Sequence, residues 1–255
     1  MEKVFIVWVT LALFPGWGFN RSEGVSSSKE DVDSLVVLFS WNTKSALEPC
    51  KCPYSPSGGL SRRAAIIERE KKSNPHLLLL DLGRIVGGKD ALSKLKIYKN
   101  MEILGYLGYA AIGVCLSDLR FGRAFWEDIR LRSPVPFVSA TLVDLDGNSS
   151  AEPFIVKKFG NLKVGVIGIT GMSGFVPADL DSTVRSDWIL LDPFERTKDV
   201  VGSIRREVDI VVLLSDLSGS AHRKLVESIE GIDIPVSYTH LRAHETEADL
   251  VCRLL

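Results

Sequence analysis

Continuous apolar runs, separated by segments of helical spacing, are the feature that most restricts how this chain can fold. Strands that are apolar at every position are buried on both faces, as in sheets that helices cover on either side. The pattern therefore predicts an α/β fold, with a mixed sheet or two packed sheets flanked by helices. The runs have strand length and span 35–39, 76–80, 110–115, 135–140 and 209–214, and a further strand begins at Ile232.

The segments between the runs predict helices. The first follows a Gly-Gly pair and ends before Pro75, because the residue that precedes a proline avoids helical geometry. A later helix has the clearest start in the chain, since Asp192 caps it and Pro193 takes its first position. A last helix is predicted over 221–229. The helix over 91–107 is expected to bury five side chains: Leu92, Leu95, Met101, Ile103 and Leu104.

A β-hairpin is predicted in the second half of the chain. Two apolar strands flank Gly160 and Asn161, a pair that is typical of a tight turn between antiparallel strands. The hairpin breaks the alternation of strands and helices, which is why the sheet is expected to be mixed.

The first twenty residues differ from the rest. Lys3 precedes an apolar run over 4–14, and Pro15 follows it; this pattern is typical of an export signal, and the run is short for a membrane span. Residues 1–20 are therefore predicted to be an export signal or a membrane tether, with a buried first strand as the alternative. Residues 21–33 form a serine-rich linker. Export places the protein in the periplasm or outside the cell, where disulfides are permitted.

Residues 236–255 depart from the strand and helix pattern. The segment from Ser237 onward resembles a translated sequencing adapter, so it is predicted to be non-native. A genuine amphipathic terminal helix is the alternative. On the first interpretation His240, His244 and Cys252 carry no function. The folded domain then spans 34–235, and it is cut short before its last strands.

Charge excludes some partners. The formal net charge is −1 and 45% of the residues are hydrophobic. The sequence shows no basic face for a nucleic acid polymer and no basic run for a membrane surface. A small molecule is the ligand class that we expect.

The loop after the first of the apolar runs indicates where a ligand binds. It carries Asn42, Lys44 and Glu48, followed by the thiols of Cys50 and Cys52. In open α/β folds, ligands bind beyond the carboxyl ends of the strands. The loop is therefore predicted to form the rim of the site.

Six segments, in their order along the chain, resemble the framework of one family. They are SALEP (45–49), GGLSRRAAII (58–67), LLLLDLG (77–83), LGYAAIGVCLSDLRFG (107–122), KVGVIGIT (163–170) and VVLLSDLS (211–218). The family is the calcineurin-like metallophosphoesterases, and within it the exported 5′-nucleotidase type. The resemblance implies a metallophosphoesterase-like layered fold of mixed β-sheets flanked by helices. It also implies phosphoester hydrolysis by two divalent metal ions.

The positions that hold the metals in that family are nearly all changed here. The D-x-H motif reads Asn42-Thr43-Lys44, the bridging aspartate is Arg84, the asparagine and histidine of G-N-H-E are Leu116 and Ser117, and the next histidine is Asp216. A protonated amine or guanidinium has no lone pair for a metal ion. We therefore expect no resident cofactor. An active 5′-nucleotidase-like hydrolase with divalent metals is the alternative.

The substitutions suggest what the site does instead. Lys44 and Arg84 would replace the positive charge of the metals, and Asp216, with Asp118, is expected to pair with them, because buried charges need partners. Two interpretations stay open: a structural ion cluster, or a pocket that binds an anionic or phosphorylated small molecule without hydrolysis. The predicted function is an exported binding or thiol-bearing module on a phosphoesterase fold.

The thiols suggest a further alternative. Cys50 and Cys52 lie in a segment that resembles the E-P-C-x-C segment of one branch of the family, and the resemblance puts Cys115 at the same rim. A structural disulfide from Cys50 or Cys52 to Cys115 is one expectation. A redox-active or soft-metal thiol site is the second, because a strained disulfide is labile. An inert set of thiols is the third.

Overall fold

The computed structural model describes residues 3–10, 32, 34–49, 58–171, 186–237 and 251–253. The strands in these ranges are β1 (Lys3–Thr10), β2 (Ser34–Trp41), β3 (Leu77–Asp81), β4 (Ala111–Gly113), β5 (Phe137–Val138), β6 (Leu142–Asp144), β7 (Phe154–Phe159), β8 (Leu162–Ile169), β9 (Trp188–Leu190), β10 (Ile210–Ser215), β11 (Ile234–Ser237) and β12 (Val251–Arg253). The helices are α1 (Leu60–Ser73), α2 (Ala91–Tyr106), α3 (Arg123–Arg132), α4 (Pro193–Ile204) and α5 (Gly219–Ser228), with a 3-10 turn over Leu116–Leu119.

The strands form two main sheets. The first has the order β12-β1-β2-β3-β4-β5, in which β2 to β5 run parallel and β1 is antiparallel to β2. The second has the order β11-β10-β8-β7, in which only β7 is antiparallel to its neighbour. A small antiparallel pair, β6 and β9, accompanies them. The expectation of an α/β fold with mixed, packed sheets flanked by helices is confirmed.

The sheets and helices stack in four layers. Between the two sheets, the apolar side chains of β2 and β3 pack against those of β8 and β10, for example Val37 and Leu78 in one cluster with Val166 and Val212. Helices α1, α2 and α3 cover the outer face of the first sheet, and α4 and α5 cover the outer face of the second. Strands β2, β3 and β10 are therefore buried on both faces, which explains their continuous apolar runs.

The two sheets meet at the ends of their parallel strands. The main-chain N–H of Ala140 donates to the carbonyl of Gly168 at 2.7 Å, and the Thr170 hydroxyl donates to the carbonyl of Val114 at 2.7 Å. A Cβ at Gly168 would lie 2.1 Å from the carbonyl oxygen of Val138, so glycine permits this approach. The loops after β2, β3, β4 and β10 consequently lie at one edge of the molecule, which we call the open edge.

Helix α2 is the clearest correction to the sequence analysis. Leu92 and Leu95, which were expected in the core, are 57% and 55% exposed. The helix instead turns Ile97, Met101 and Leu104 inward, and all three are buried. Of the other expected core residues, Ile103 packs half-buried against the same cluster. Apolar residues at the start of α2 were mistaken for its buried stripe.

Several predicted elements are confirmed with adjusted bounds. The hairpin turn at Gly160 joins β7 to β8 as expected, and Asp192 caps α4 by accepting N–H bonds from Phe194 at 2.9 Å and Glu195 at 3.0 Å. The predicted strands over 110–115 and 135–140 shrink to β4 and β5. Helix α3 and the β6–β9 pair were not predicted. The three- and four-residue spacing of buried residues on α3, such as Phe125 and Ile129, could have revealed the helix.

The two ends of the chain contribute strands to the first sheet. Lys3–Thr10 pairs with β2 in the register Phe5 with Phe39 and Val7 with Val37, so the alternative of a first strand fits the fold. Val251–Arg253 runs parallel to β1. No helix in the described part of the chain is long and apolar enough to cross a membrane. The export signal, the linker and the foreign tail stay predictions.

Candidate functional site

Two neighbouring loops, one after β2 and one after β3, interlock at the open edge. The N–H of Asn42 donates to the carbonyl of Gly83, and the N–H of Lys44 donates to the carbonyl of Arg84, both at 3.0 Å. The Ser45 hydroxyl adds a bond to the carbonyl of Ile85 at 2.7 Å. The predicted site residues Asn42, Lys44 and Arg84 are thus brought together by main-chain contacts that continue the pairing of β2 with β3.

The backbone of these loops is strained. In the described ranges, the non-glycine residues with a left-handed φ all lie here: Asn42 (56°), Lys44 (50°), Ser45 (49°) and Arg84 (58°). The left-handed region costs about 1–2 kcal/mol for an ordinary L-residue. Such strain persists only where the surroundings impose it, and it is concentrated at functional sites.

The Asp118 side chain binds the backbone of the loop that follows β3. Its carboxylate is buried and accepts main-chain N–H bonds from Arg84 at 3.0 Å, Val86 at 3.1 Å and Cys115 at 3.0 Å. Burial raises the pKa of the Asp118 carboxyl above its usual value, and these N–H groups oppose the rise. Asp118 was expected to pair with a cationic side chain, whereas it binds Arg84 through the main chain.

A second buried carboxylate, Asp81, ends β3. It accepts a hydrogen bond from the Ser40 hydroxyl at 2.5 Å and one from the N–H of Gly83 at 2.8 Å, and a guanidinium nitrogen of Arg63 lies 3.9 Å away. The hydroxyls of Tyr109 and Ser40 are 3.0 Å apart and hydrogen-bonded. Burial raises the pKa of Asp81 from 3.8 to about 6, despite the opposing charge of Arg63.

This network was not predicted from the sequence. Arg63 lies on the inward stripe of α1, between the buried Leu60 and Ile67. A charged residue at an apolar position of a helix needs a buried partner, and that was the available signal. Ser40 and Tyr109 carry no such signal, because hydroxyl-bearing residues are common in strands and loops.

The cationic side chains differ in their surroundings. The guanidinium carbon of Arg84 lies 5.5 Å from the centre of the Trp41 ring, within the range of a cation–π contact. Lys44 is exposed. The site therefore presents one positive charge fixed against an aromatic ring and one in contact with solvent.

Cys115 and Asp216 are both buried, and Asp216 and Arg84 are close enough to the Cys115 thiol to affect its pKa. Cys115 is a buried free thiol whose Sγ–H donates to the carbonyl of Leu82 at 3.4 Å. Burial raises the pKa of this thiol well above its usual value, and the carboxylates of Asp216 and Asp118 raise it further, while Arg84 lowers it. Cys50 and Cys52 lie outside the described residues, so the disulfide expected between one of them and Cys115 and the redox alternative both stay predictions.

The remaining predicted positions offer neutral groups. Leu116 is part of the apolar core under α3. The oxygen of the Asn42 side chain and the hydroxyl of Ser117 are buried atoms with no hydrogen-bond partner among the described residues. These two polar groups remain available to a ligand.

The residues do not fit the two-metal centre that the family resemblance implies. Among the residues that the structure describes, no group of three or more His, Cys, Asp or Glu side chains is arranged to hold a metal ion. Leu116 has no donor atom, and Lys44 and Arg84 bring positive charge where ligands would have to be. These positions provide no imidazole, and the nearby carboxylates of Asp81 and Asp118 accept hydrogen bonds from the protein itself, so the site lacks the set of donors that divalent ions need.

Comparison with known proteins explains the layered architecture. No protein-family model matches the chain. The structure of a 5′-nucleotidase precursor from Thermus thermophilus aligns with a TM-score of 0.66 and 24% identity, over 80% of this chain and 41% of its own. This chain has the calcineurin-like phosphoesterase fold. The calcineurin-like phosphoesterase YfkN from Bacillus subtilis aligns with a TM-score of 0.65 and 19% identity, over 80% of this chain and 71% of its own.

Further relatives with the calcineurin-like phosphoesterase fold have related names. The NAD nucleotidase NadN of Haemophilus influenzae aligns over 92% of this chain and 38% of its own, with a TM-score of 0.67 and 12% identity. In sequence, the trifunctional nucleotide phosphoesterase protein YfkN of Bacillus subtilis strain 168 is 22% identical in an alignment of 183 residues that covers 62% of this chain and 12% of that protein. The predicted resemblance to the 5′-nucleotidase type is confirmed at the level of the fold. The chain spans less than half the length of the Thermus structure and about an eighth of YfkN.

Proposed function

We propose that this protein is a non-hydrolytic binding module that takes a small oxyanion, such as inorganic phosphate or a phosphorylated small molecule, at the open edge. The observation that carries the proposal is the pair of interlocked loops. They hold Arg84 and Lys44 side by side through the Lys44 N–H bond to the Arg84 carbonyl. A guanidinium suits bidentate contact with an oxyanion, and an ammonium adds a second positive charge.

The polar groups near Arg84 favour binding of an anion at this site over a purely structural cluster of charged side chains. The main bonds to the Asp118 carboxylate come from main-chain N–H groups, so this carboxylate is committed to the loop backbone. The Ser117 hydroxyl has no hydrogen-bond partner in the described part of the chain and can donate to an oxyanion. Buried polar groups without partners are costly, and a bound ligand would satisfy this one.

Hydrolysis by the route of the family is not supported by the residues at the site. That route uses two divalent ions to generate a hydroxide and to stabilise the leaving oxygen. At the positions where such ions would bind, the described residues provide the cationic Lys44 and Arg84, neutral or apolar side chains, and one carboxylate, that of Asp216. We therefore expect binding without turnover and without a resident cofactor.

Calorimetric titration tests the proposal. Inorganic phosphate and a nucleoside monophosphate are titrated into the full chain and into Arg84→Ala, with Arg223→Ala, an exposed cation on α5, as the matched control. We expect at least tenfold weaker binding for Arg84→Ala and no change for Arg223→Ala. Absence of binding to the wild-type protein, or equal binding by Arg84→Ala, would overturn the proposal.

The competing function is phosphoester hydrolysis, which the fold and the names of the relatives favour. Its test is the release of phosphate from a generic phosphate ester in the presence of Mn²⁺. Release that depends on Mn²⁺ and is lost in Asn42→Ala and Asp216→Ala would establish a hydrolase and refute the proposed loss of turnover.

We also propose that the chain is exported. Lys3 and the apolar run over 4–14 support this, and the Thermus relative is named a precursor. Fractionation of cells that express the full chain, with N-terminal sequencing of the product, tests the proposal. Recovery of uncleaved protein only in the cytoplasm would contradict it.

A further inference from the structure

The loop that carries Arg84 has an unusual shape for its sequence. Gly83 has a φ of 96° and Arg84 a φ of 58°. A Cβ at Gly83 would lie 2.6 Å from the carbonyl oxygen of Gly113 and 3.1 Å from a carboxylate oxygen of Asp118. The chain therefore turns in contact with the end of β4, and an arginine is forced into a conformation that arginine rarely adopts.

One carboxylate accounts for this shape. Asp118 accepts the N–H of Arg84 with Oδ2 and the N–H of Val86 with Oδ1, and Oδ2 also takes the N–H of Cys115. The bond from Cys115 ties the carboxylate to the end of β4. The loop that follows β3 and the loop that follows β4 are therefore both anchored to the first sheet. Hydrogen bonds to an ionised acceptor are stronger than neutral ones, and three of them offset a strained backbone.

The influence of Asp118 extends to the other cation. The carbonyl of Arg84 accepts the N–H of Lys44 at 3.0 Å, so the position of the Arg84 backbone sets the position of the Lys44 backbone. The guanidinium of Arg84 lies over Trp41. A change at Asp118 is therefore expected to move both positive charges and to alter the Arg84–Trp41 contact.

We propose that Asp118 is the positioning residue of the open edge: its buried carboxylate imposes the left-handed turn at Arg84 and thereby aims the two cations at the ligand. Among the described residues, the hydrogen bonds that the Asp118 carboxylate accepts come from main-chain groups of two loops, and these bonds organise both loops. The proposal rests on the proposed oxyanion binding for its effect on affinity, but its effect on Arg84 is independent of any ligand.

The experiment compares Asp118→Asn with Asp118→Glu and with Asp144→Asn in the full chain. Asparagine keeps the size but offers one acceptor where three N–H groups converge. Asp144 is the matched control, because it is also buried and also accepts main-chain N–H bonds, from Asp146 at 3.0 Å and Asn148 at 2.8 Å. Inorganic phosphate is the titrant. We expect at least tenfold weaker binding for Asp118→Asn, a partial recovery for Asp118→Glu, and less than a twofold change for Asp144→Asn.

Trp41 provides a readout that does not need a ligand. The emission of Trp41 is isolated as the difference between each protein and the same protein with Trp41→Phe. We expect Asp118→Asn to shift this emission and Asp144→Asn to leave it unchanged. A folded Asp118→Asn protein with wild-type Trp41 emission and wild-type phosphate affinity overturns the inference. If the wild-type protein binds no phosphate, the proposed function fails, and the Trp41 emission alone decides the role of Asp118.

Hydrogen exchange of the unmodified protein covers the case in which Asp118→Asn does not fold. The amide protons of Arg84 and Val86 both point to Asp118 and are expected to exchange at least a hundredfold more slowly than in an unstructured chain. Exchange of both amides at the unstructured rate overturns the inference.

Discussion

Two buried carboxylates lie at neighbouring strand ends, and they hold the structure in different ways. Asp81, at the end of β3, is bound mainly by side chains: it accepts a bond from Ser40 and faces Arg63, and it takes one main-chain N–H, that of Gly83. Asp118, after β4, is surrounded by main-chain N–H groups, of which that of Arg84 is the one that matters for the site. Burial raises the pKa of both carboxyls.

The difference separates the framework from the site. The partners of Asp81 lie on α1 and at the ends of β2 and β3, so its network joins a helix to the first sheet and belongs to the framework. The partners of Asp118 are loop amides, so its bonds fix a loop shape that ligand binding can use. A substitution in the first network should mainly change stability, and one in the second should mainly change the site.

The largest effect is expected for Arg63→Met. Methionine keeps the apolar stem but removes the charge that faces Asp81, and breaking a buried ion pair costs about 3–5 kcal/mol. The loss should be largest at pH 8 and smaller at pH 5, where Asp81 takes up a proton. Urea denaturation at both pH values measures it. Arg62→Met, an exposed neighbour on α1, is the control, and equal losses in the two variants would mean that the buried network is not stabilising.

The second effect is the pH dependence of stability that Asp81 causes. Asp81 has a pKa of about 6 in the folded protein and 3.8 as the ordinary value, so the folded state holds this proton more tightly than the unfolded state. The stabilisation is complete below pH 3.8 and is lost as the pH rises through 6. Two pKa units correspond to about 3 kcal/mol. Between pH 4 and pH 8, the free energy of unfolding should fall by that much more in the wild-type protein than in Asp81→Asn; parallel curves would contradict the assignment.

The third effect separates steric contact from backbone strain. Gly83→Ala places a Cβ 2.6 Å from a backbone oxygen at a φ of 96° and should cost about 2 kcal/mol or more. Gly147→Ala is the matched control, since Gly147 has a φ of 84° but nothing within 4 Å of an added Cβ, and it should cost about 1 kcal/mol. Thermal denaturation measures both. If the two costs are equal, the close approach of Gly83 to β4 adds nothing to the strain.

The sequence was sufficient for the fold because burial leaves a pattern. The apolar runs, the Asp192 cap and the Gly160 turn all act locally, and each is recovered in the structure. Leu92 and Leu95 were misplaced because an apolar residue on a surface helix is not a rare event. Arg63 was overlooked because the need for a buried partner shows only when the helix face is known.

The site was predictable in position and not in detail. The order of the strands places Asn42, Arg84, Asp118 and Asp216 at one edge, which the carboxyl-end rule anticipates. The role of Asp118 depends on three amides that come from two loops, and main-chain hydrogen bonds leave no trace in residue types. The left-handed φ of Arg84 could not be predicted either, because arginine is not a residue type that favours such a turn.

The smallest effect carries the most information about the Asp118 region. Arg84→Gly removes the penalty of a left-handed arginine, and after the entropy cost of glycine in the unfolded chain we expect a gain of about 0.5–1 kcal/mol in stability, together with the loss of phosphate binding. Arg84→Ala is the control, because it loses the guanidinium but keeps the Cβ and the strain, so it should gain nothing. Chemical denaturation and calorimetry measure the two quantities. A stability gain that accompanies lost binding would mean that the strain is maintained for the ligand. A stability loss in both variants would mean instead that the guanidinium over Trp41 is a structural contact, and it would favour the interpretation of the site as an ion cluster.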